Sequence, residues 1–201
     1  MGNVFSDIAV SVDGFSAGPN QSLENPLGVG GMQLHRWHLE HPEESAAEIA
    51  AIVDAGAFIM GRNMFGPIRG PWDSAGPEEW RGWWGEEPPY HGPVFVLTHY
   101  PRESLEMAGG TTFHFVTDGF VAAHERALAA SGGRGVSIAG GASTVQQALA
   151  AGLLDELRLH IAPVVLGAGE RLLEGVGDVQ LEQFGVTSSP LVTHVRYKVL
   201  H

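Results

Sequence analysis

The chain has no cysteine. That excludes disulfides, thiolate zinc sites and thiol nucleophiles at once. It is also compatible with a reducing cytoplasm. Basic residues are scarce: 11 Lys and Arg stand against 23 Asp and Glu, the formal net charge is −12, and Lys198 is the sole lysine. Nucleic-acid binding needs clustered cations to neutralise phosphates, so nucleic acid is not an expected partner. Any phosphate site must be made from a few arginines plus backbone N–H groups. Long apolar runs are lacking too, all far below the ~18 residues of a membrane span, and no membrane partner is expected. The opening stretch "MGNVFSDIAVSVDG" has no basic start and reaches Asp7 too soon for a signal peptide. A cytoplasmic location is the expectation.

What is present suits a globular fold. The 201 residues, 44% of them hydrophobic, are enough for one well-buried core. No internal repeat or low-complexity linker divides the chain, which reads as a single domain over 1–201. Strand-like and helix-like segments alternate, the pattern of an α/β sheet. Strands are expected at Val4–Val12, Ala57–Met60, Pro93–Thr98, Thr112–Thr117, Gly135–Ala139, Glu156–Val165, Val179–Ser188 and Leu191–Leu200. Helices are expected over Ser45–Ala55, with Ala46, Ile49, Ala50 and Val53 on one face, and over Phe120–Ala130, with Phe120, Val121, Ala127 and Leu128 on one face. A third is expected over Ser143–Ala151, facing inward with Val145, Ala148 and Leu149. In "ELRLHIAPVV" the alternation marks one face as wetter, so His160 is expected at water or at a subunit contact. The expected fold is a mostly parallel sheet of eight strands finished by an antiparallel C-terminal hairpin. Gly66 to Gly92, rich in Trp, Pro and Gly, resists this scheme. It reads as a loop insertion that is a lid, a surface cover or a subunit contact.

Chemistry-bearing residues gather at the expected strand ends. In "SIAGGASTVQQAL" a strand runs into Gly140-Gly141 and then a helix. This is either a plain bend or bare backbone kept clear for an anion at a helix end. Ser143 or Thr144 is placed to cap that helix. In "FIMGRNMF" another strand ends in Gly61-Arg62, putting a cation at the carboxyl edge, where open α/β sheets bind ligands. "VFVLTHYPR" brings Thr98, His99 and Arg102 to the same edge, and "FHFVTDG" brings Thr117. His35, His38 and His41 are spaced by three, but the first and third lie roughly 120° apart around a helix, so no metal site is expected.

Taken in order, "IAVSVDGFSAG", "IMGRNMF", "VFVLTH", "IAGGASTVQQAL" and "DELRLHIAPVVLGAGERLL" resemble the dihydrofolate reductase-like proteins. The branch they resemble holds the reductase domain of the bifunctional riboflavin-biosynthesis deaminase–reductase. The resemblance implies a three-layer sandwich, a reductase and NADPH as cofactor. It implies that Ala9 and Val10 meet the nicotinamide carboxamide, that Gly61 and Arg62 touch phosphates, and that Thr98 and His99 lie near the adenosine 2′-phosphate with Arg102 beside them. Thr117 would border the adenine, and Gly140, Gly141, Ala142 and Thr144 would hold the pyrophosphate, which makes the glycine pair a phosphate cradle. The substrate would be a small pterin- or pyrimidine-like heterocycle or another unsaturated molecule, near Arg36, Gly167 and Gly169, with Arg171 a further candidate. Dihydrofolate reductase proper uses a carboxylate after its first loop, and none falls clearly at that place in "LGVGGMQLHRWHLEH". Asp13 is the nearest available acid, equally at home as a turn residue in Val12-Asp13-Gly14. Without a clear acid, the alternative is a nucleotide-binding regulatory or interaction module of the same fold that lacks turnover. A homodimer is the expected assembly, by the wetter strand face and by family analogy.

Overall fold

β-branched and aromatic residues dominate the strand segments, and the run Val4–Ser11 (β1) is buried along its whole length, as a parallel strand covered on both faces must be. The computed structural model describes residues 2–66, 70–72 and 80–201. Parallel to β1 run Ala57–Gly61 (β3), Pro93–Leu97 (β4), Thr112–Val116 (β6), Val136–Gly140 (β7) and Glu156–Ala162 (β8). Gln180–Ser189 (β10) and Val192–Leu200 (β11) form the antiparallel hairpin, joined to the sheet through β8. The order is β10-β11-β8-β1-β7-β3-β4-β6-β5. Among the described residues the sheet has nine strands and not eight, because the pair Leu105–Glu106 (β5) adds to the outside of β6. Phe15–Ala17 (β2) and Glu170–Arg171 (β9) make a separate two-stranded ribbon.

Successive side chains of a strand point to opposite faces, and the two faces here carry different covers. Val4, Ile8, Ile59 and Ile138 pack under Phe120–Ala130 (α4) and Ala142–Ala150 (α5), with Ala123, Ala127, Val145 and Ala148 fully buried. Burying each large aliphatic side chain is worth ~1.5–3 kcal/mol. On the other face Phe5, Phe58, Met60 and Phe113 meet Phe65, Tyr90, Trp72, Trp80 and Trp84. The rest of the Gly66–Gly92 stretch expected as an insertion lies in part outside the described residues. Ala9 packs with Leu34 and Ala162 beneath the short helical segment Gly31–Leu39, which ends in α1 (Arg36–Leu39).

Three readings of the helices and strands change. In α4 the inward residues are Phe120, Ala123, His124 and Ala127, whereas Val121 is 53% exposed. Over Ala46–Ile52 (α2) no residue is fully buried, and Ala46 and Ala50 face solvent. The expected wet face of β8 is absent. His160 is only 4% exposed because Trp37 lies over it at 4.9 Å between ring centroids. The inference of a subunit contact from that face lapses with it.

Candidate functional site

Parallel pairing places the carboxyl ends of β7, β3, β4 and β6 side by side, in that order. Gly140, Gly61, Leu97 and Val116 therefore end on one edge of the sheet, and the candidate residues follow them. The peptide between Gly140 and Gly141 is cis, and Gly140 has φ 119°, a left-handed value that favours glycine. Among the described residues, a side chain at Gly141 would meet nothing within 4 Å, so the backbone there faces open space. At Gly61 a Cβ would come within 2.8 Å of Thr144 Oγ1, so glycine lets the β3 tip and the start of α5 approach closely. α5 begins after Gly141, and among the described residues no side chain caps it. Thr144 is turned inward and buried, and the exposed Ser143 bonds Gln147, so neither takes the capping role expected of it.

Next along the edge, Thr98 N–H donates to Val116 O at 3.0 Å, tying the β4 and β6 tips together. The Thr98 hydroxyl is buried and serves the Tyr100 backbone, whereas His99 and Thr117 are exposed. Thr117 donates to Asp118, which is paired with Arg126.

Arg62 is the residue out of balance. Its Nε, Nη1 and Nη2 are all buried, and none has a hydrogen-bond partner among the described residues. The guanidinium carbon sits 3.2 Å from the centre of the Trp72 ring. Burial, and then the nearby Arg102, pull its pKa down to about 10. A buried cation that lacks an acceptor is costly, and such orphaned donors point to a missing anion. Arg102 stands 4.9 Å from the same Trp72 ring and donates to Trp80 O at 2.7 Å.

At the end of β1, Ala9 and Val10 are buried, and Val10 with Gly14, Leu159, Arg171 and Leu172 borders a small cavity of about 270 Å³. Asp13 is held by backbone N–H groups. Its carboxylate accepts Leu166 N–H at 3.1 Å and Gly167 N–H at 2.7 Å, clasping the turn that includes Gly167. The Ser11 hydroxyl first, then the Gly167 and Leu166 N–H groups, hold its pKa at about 2 against the opposing desolvation. A carboxylate ionised over the whole neutral range has no proton to give. Gly169 is pinned, since a Cβ there would strike Ala17 O. Arg171 donates to Asp13 O at 3.3 Å. Arg36 is exposed and engaged with Glu40 through two bonds of 2.8 and 2.9 Å.

The sequence matches the RibD C-terminal domain family over residues 3–195. The chain belongs to that family. The resemblance read from the motifs is thereby borne out, and membership implies an oxidoreductase of the riboflavin-pathway reductase type acting on a small molecule. Among solved structures the chain is similar to a putative riboflavin biosynthesis protein from Shewanella sp. PV-4, with 22% identity, TM-score 0.66 and 99% of each chain covered. It is also similar to a pyrimidine reductase-like protein from Corynebacterium diphtheriae, with 16% identity, TM-score 0.58, and 100% of this chain and 92% of that one covered. A third is the deaminase/5-amino-6-(5-phosphoribosylamino)uracil reductase of Thermotoga maritima, with 12% identity and TM-score 0.56, where 98% of this chain spans 56% of the other. At these identities the likeness shows the fold, which is the expected mostly parallel α/β sheet with its C-terminal hairpin. No curated protein sequence matches the chain. Among the described residues no helix is long and apolar enough to cross a membrane.

One network escaped the sequence reading. His160 Nδ1 and His194 Nδ1 are 2.7 Å apart, His194 Nε2 meets Ser45 Oγ at 3.0 Å, and His160 Nε2 lies 3.4 Å from Asp7. All four side chains are buried. The signal was Asp7 itself, a carboxylate in the middle of an apolar strand, which is seldom buried unless paired.

Proposed function

We propose that the chain is an NADPH-dependent reductase that passes hydride to a small pterin- or pyrimidine-like heterocycle or another unsaturated substrate. The observation carrying this reading is the buried Arg62 guanidinium, which has no hydrogen-bond acceptor among the described residues, set beside the open backbone at Gly141 on neighbouring strand tips. Both fit a polyphosphate-linked cofactor. Gly140, Gly141, Ala142 and Thr144 would hold the pyrophosphate, Gly61 and Arg62 the phosphates, Thr98 and His99 the adenosine 2′-phosphate, and Thr117 the adenine. Ala9 and Val10 would present backbone groups to the nicotinamide. When bound, NADPH supplies a hydride, two electrons and one proton's mass, to the carbon of a C=N, C=C or C=O bond. The protein's part is alignment of donor and acceptor. The partner atom takes its proton from water, since Asp13 is held ionised.

The test is transfer of deuteride from 4-deuterated NADPH to members of a pyrimidine and pterin panel, read by mass spectrometry. A gain of one deuterium in product supports the reading, and absence of NADPH binding overturns it. Asp13→Asn is expected to lower the urea midpoint by loosening the Leu166–Gly167 turn while changing kcat by less than about tenfold. Loss of a true general acid costs on the order of 10²–10⁴-fold. The ionised Asp13 also favours the second reading, a nucleotide-binding module without turnover. Tight NADPH binding with no consumption across the panel would select it.

A further inference from the structure

Two adjacent backbone N–H groups in a glycine-containing turn make a ready seat for an anion. The turn beside the end of β1 has such a pair, Leu166 N–H and Gly167 N–H, and the protein fills it with its own Asp13 carboxylate at 3.1 and 2.7 Å. A substrate arriving beside Ala9 therefore meets a fixed negative charge where those donors would otherwise face it. The surrounding surface does little to offset that charge. Val12, Val29, Met32 and Val165 are exposed on the three segments that meet here. The bond from Val12 N–H to Val164 O and the approach of Gly30 to Leu166 hold those segments together. Among the described residues only two arginines stand on them, and neither serves the space over Ala9. Arg36 is neutralised by its two bonds to Glu40. Arg171 belongs to the other face of the sheet. Side chains alternate along β1, so Val10 joins the core under α4 and α5 while Ala9 joins Leu34 on the opposite face. Arg171 borders the small cavity on the Val10 side and rests over Phe15 at 4.5 Å. His35 and His38, on the segment over Ala9, are kept neutral at neutral pH by burial. Arg62 and Arg102 flank Trp72 farther along the edge, on the cofactor side.

We infer that the acceptor reduced by this chain is an uncharged heterocycle without a phosphate, selected by the Asp13 carboxylate and the apolar rim around the end of β1. This rests on the reductase reading and narrows its substrate class. It also separates the chain from the Thermotoga maritima relative, whose name specifies a phosphoribosyl substrate. Asp13 determines specificity by its charge and does not touch the reacting atoms. The carbon of a C=N bond takes the hydride, its nitrogen takes a proton from water, and the oxidised dinucleotide leaves.

The experiment is steady-state reduction at saturating NADPH of 5-amino-6-(5-phosphoribosylamino)uracil and of the same compound after removal of its phosphate. 7,8-Dihydropterin serves as a second uncharged acceptor. The dephosphorylated member is expected to show a kcat/KM at least about tenfold higher, carried by KM, because like charges brought together are repelled. Raising the ionic strength from about 0.02 to about 0.3 M should lower KM for the phosphorylated member at least about threefold, since salt screens that repulsion. The uncharged acceptors should stay within about twofold. Asp13→Asn, with its urea midpoint recorded, is expected to lower the same KM, and the wild-type salt series decides the matter if that variant does not fold. Equal kcat/KM for the pair, preference for the phosphorylated member, or a KM for it that rises with salt would mean that a cation receives the phosphate, and each overturns the inference. An unchanged KM in folded Asp13→Asn overturns the role of Asp13. If the protein binds no NADPH, or binds it and reduces none of the three compounds, the reductase reading itself falls and the inference with it.

Discussion

Arg62→Ala is expected to weaken NADPH binding by about 1.5–3 kcal/mol, roughly ten- to 150-fold, because a charge-assisted hydrogen bond to phosphate is lost. The same substitution should do little harm to the protein without nucleotide. There the guanidinium has no hydrogen-bond acceptor among the described residues and is buried beside a second arginine, so its removal relieves desolvation and repulsion. Against that stands the lost stack on Trp72. Two opposed contributions of similar size leave the unfolding free energy within about 1 kcal/mol of wild type. Titration with NADPH and urea unfolding without it measure the two halves separately. A large loss of stability with unchanged binding would show that Arg62 is a packing residue, and the phosphate reading of this strand edge would be abandoned. The combination expected, weaker binding at nearly constant stability, is the mark of a group whose burial is tolerated for what it binds.

The order of elements was legible because most of them obey a single period. All eight expected strands exist, and α4 runs over Phe120–Ala130 as its spacing requires. The ninth strand was not legible, since Leu105–Glu106 is too short to show any alternation. The inward face of α4 was misread at Val121 because Ala123 and His124, the residues that turn inward, are small or polar and carry little apolar signal. The strand-tip residues of the candidate site were legible for another reason: glycine, hydroxyl and basic residues stand out at the ends of apolar runs. Trp72 over Arg62 was not, because the loop has no period from which a contact can be inferred. Nor was the meeting of His160 with His194. It depends on the register of β8 against β11, where the two residues are directly paired, and one sequence does not reveal the register of two strands that are not consecutive in the chain.

That histidine pairing sets a second large effect, a loss of stability on mild acidification. Four imidazoles, from His35, His38, His160 and His194, crowd around Trp37 between the Gly31–Leu39 segment and the β8–β11 pair. Burial first, then His38 and His160, pull the pKa of His35 down to about 4, and burial also lowers His38 and His194. Asp7 and Glu48 oppose the shift at His194, but Asp7 is already shared with Arg158 at 3.2 Å. In the unfolded chain each histidine takes its proton near pH 6.5. Between there and about pH 4 the unfolded state holds more protons than the folded one, so stability falls as pH falls. The contribution is complete above pH 6.5 and gone below about 4. His35 is only partly buried, so its share is at most about 3 kcal/mol, with His38 and His194 acting in the same direction. Urea unfolding at pH 7, 5.5 and 4.5 should show the decline begin above the range where the depressed carboxylates of Glu156 and Asp13 titrate. In His35→Gln the slope between pH 6.5 and 5 should be shallower than in wild type. A flat wild-type profile across that interval would mean that the imidazoles hold their protons in the folded state. The segment Gly31–Leu39 lays Leu34 over Ala9, so acid that pries the histidines apart also uncovers the strand end proposed to face the nicotinamide. Cofactor affinity should therefore fall over the same pH interval as stability, and in His35→Gln it should fall less.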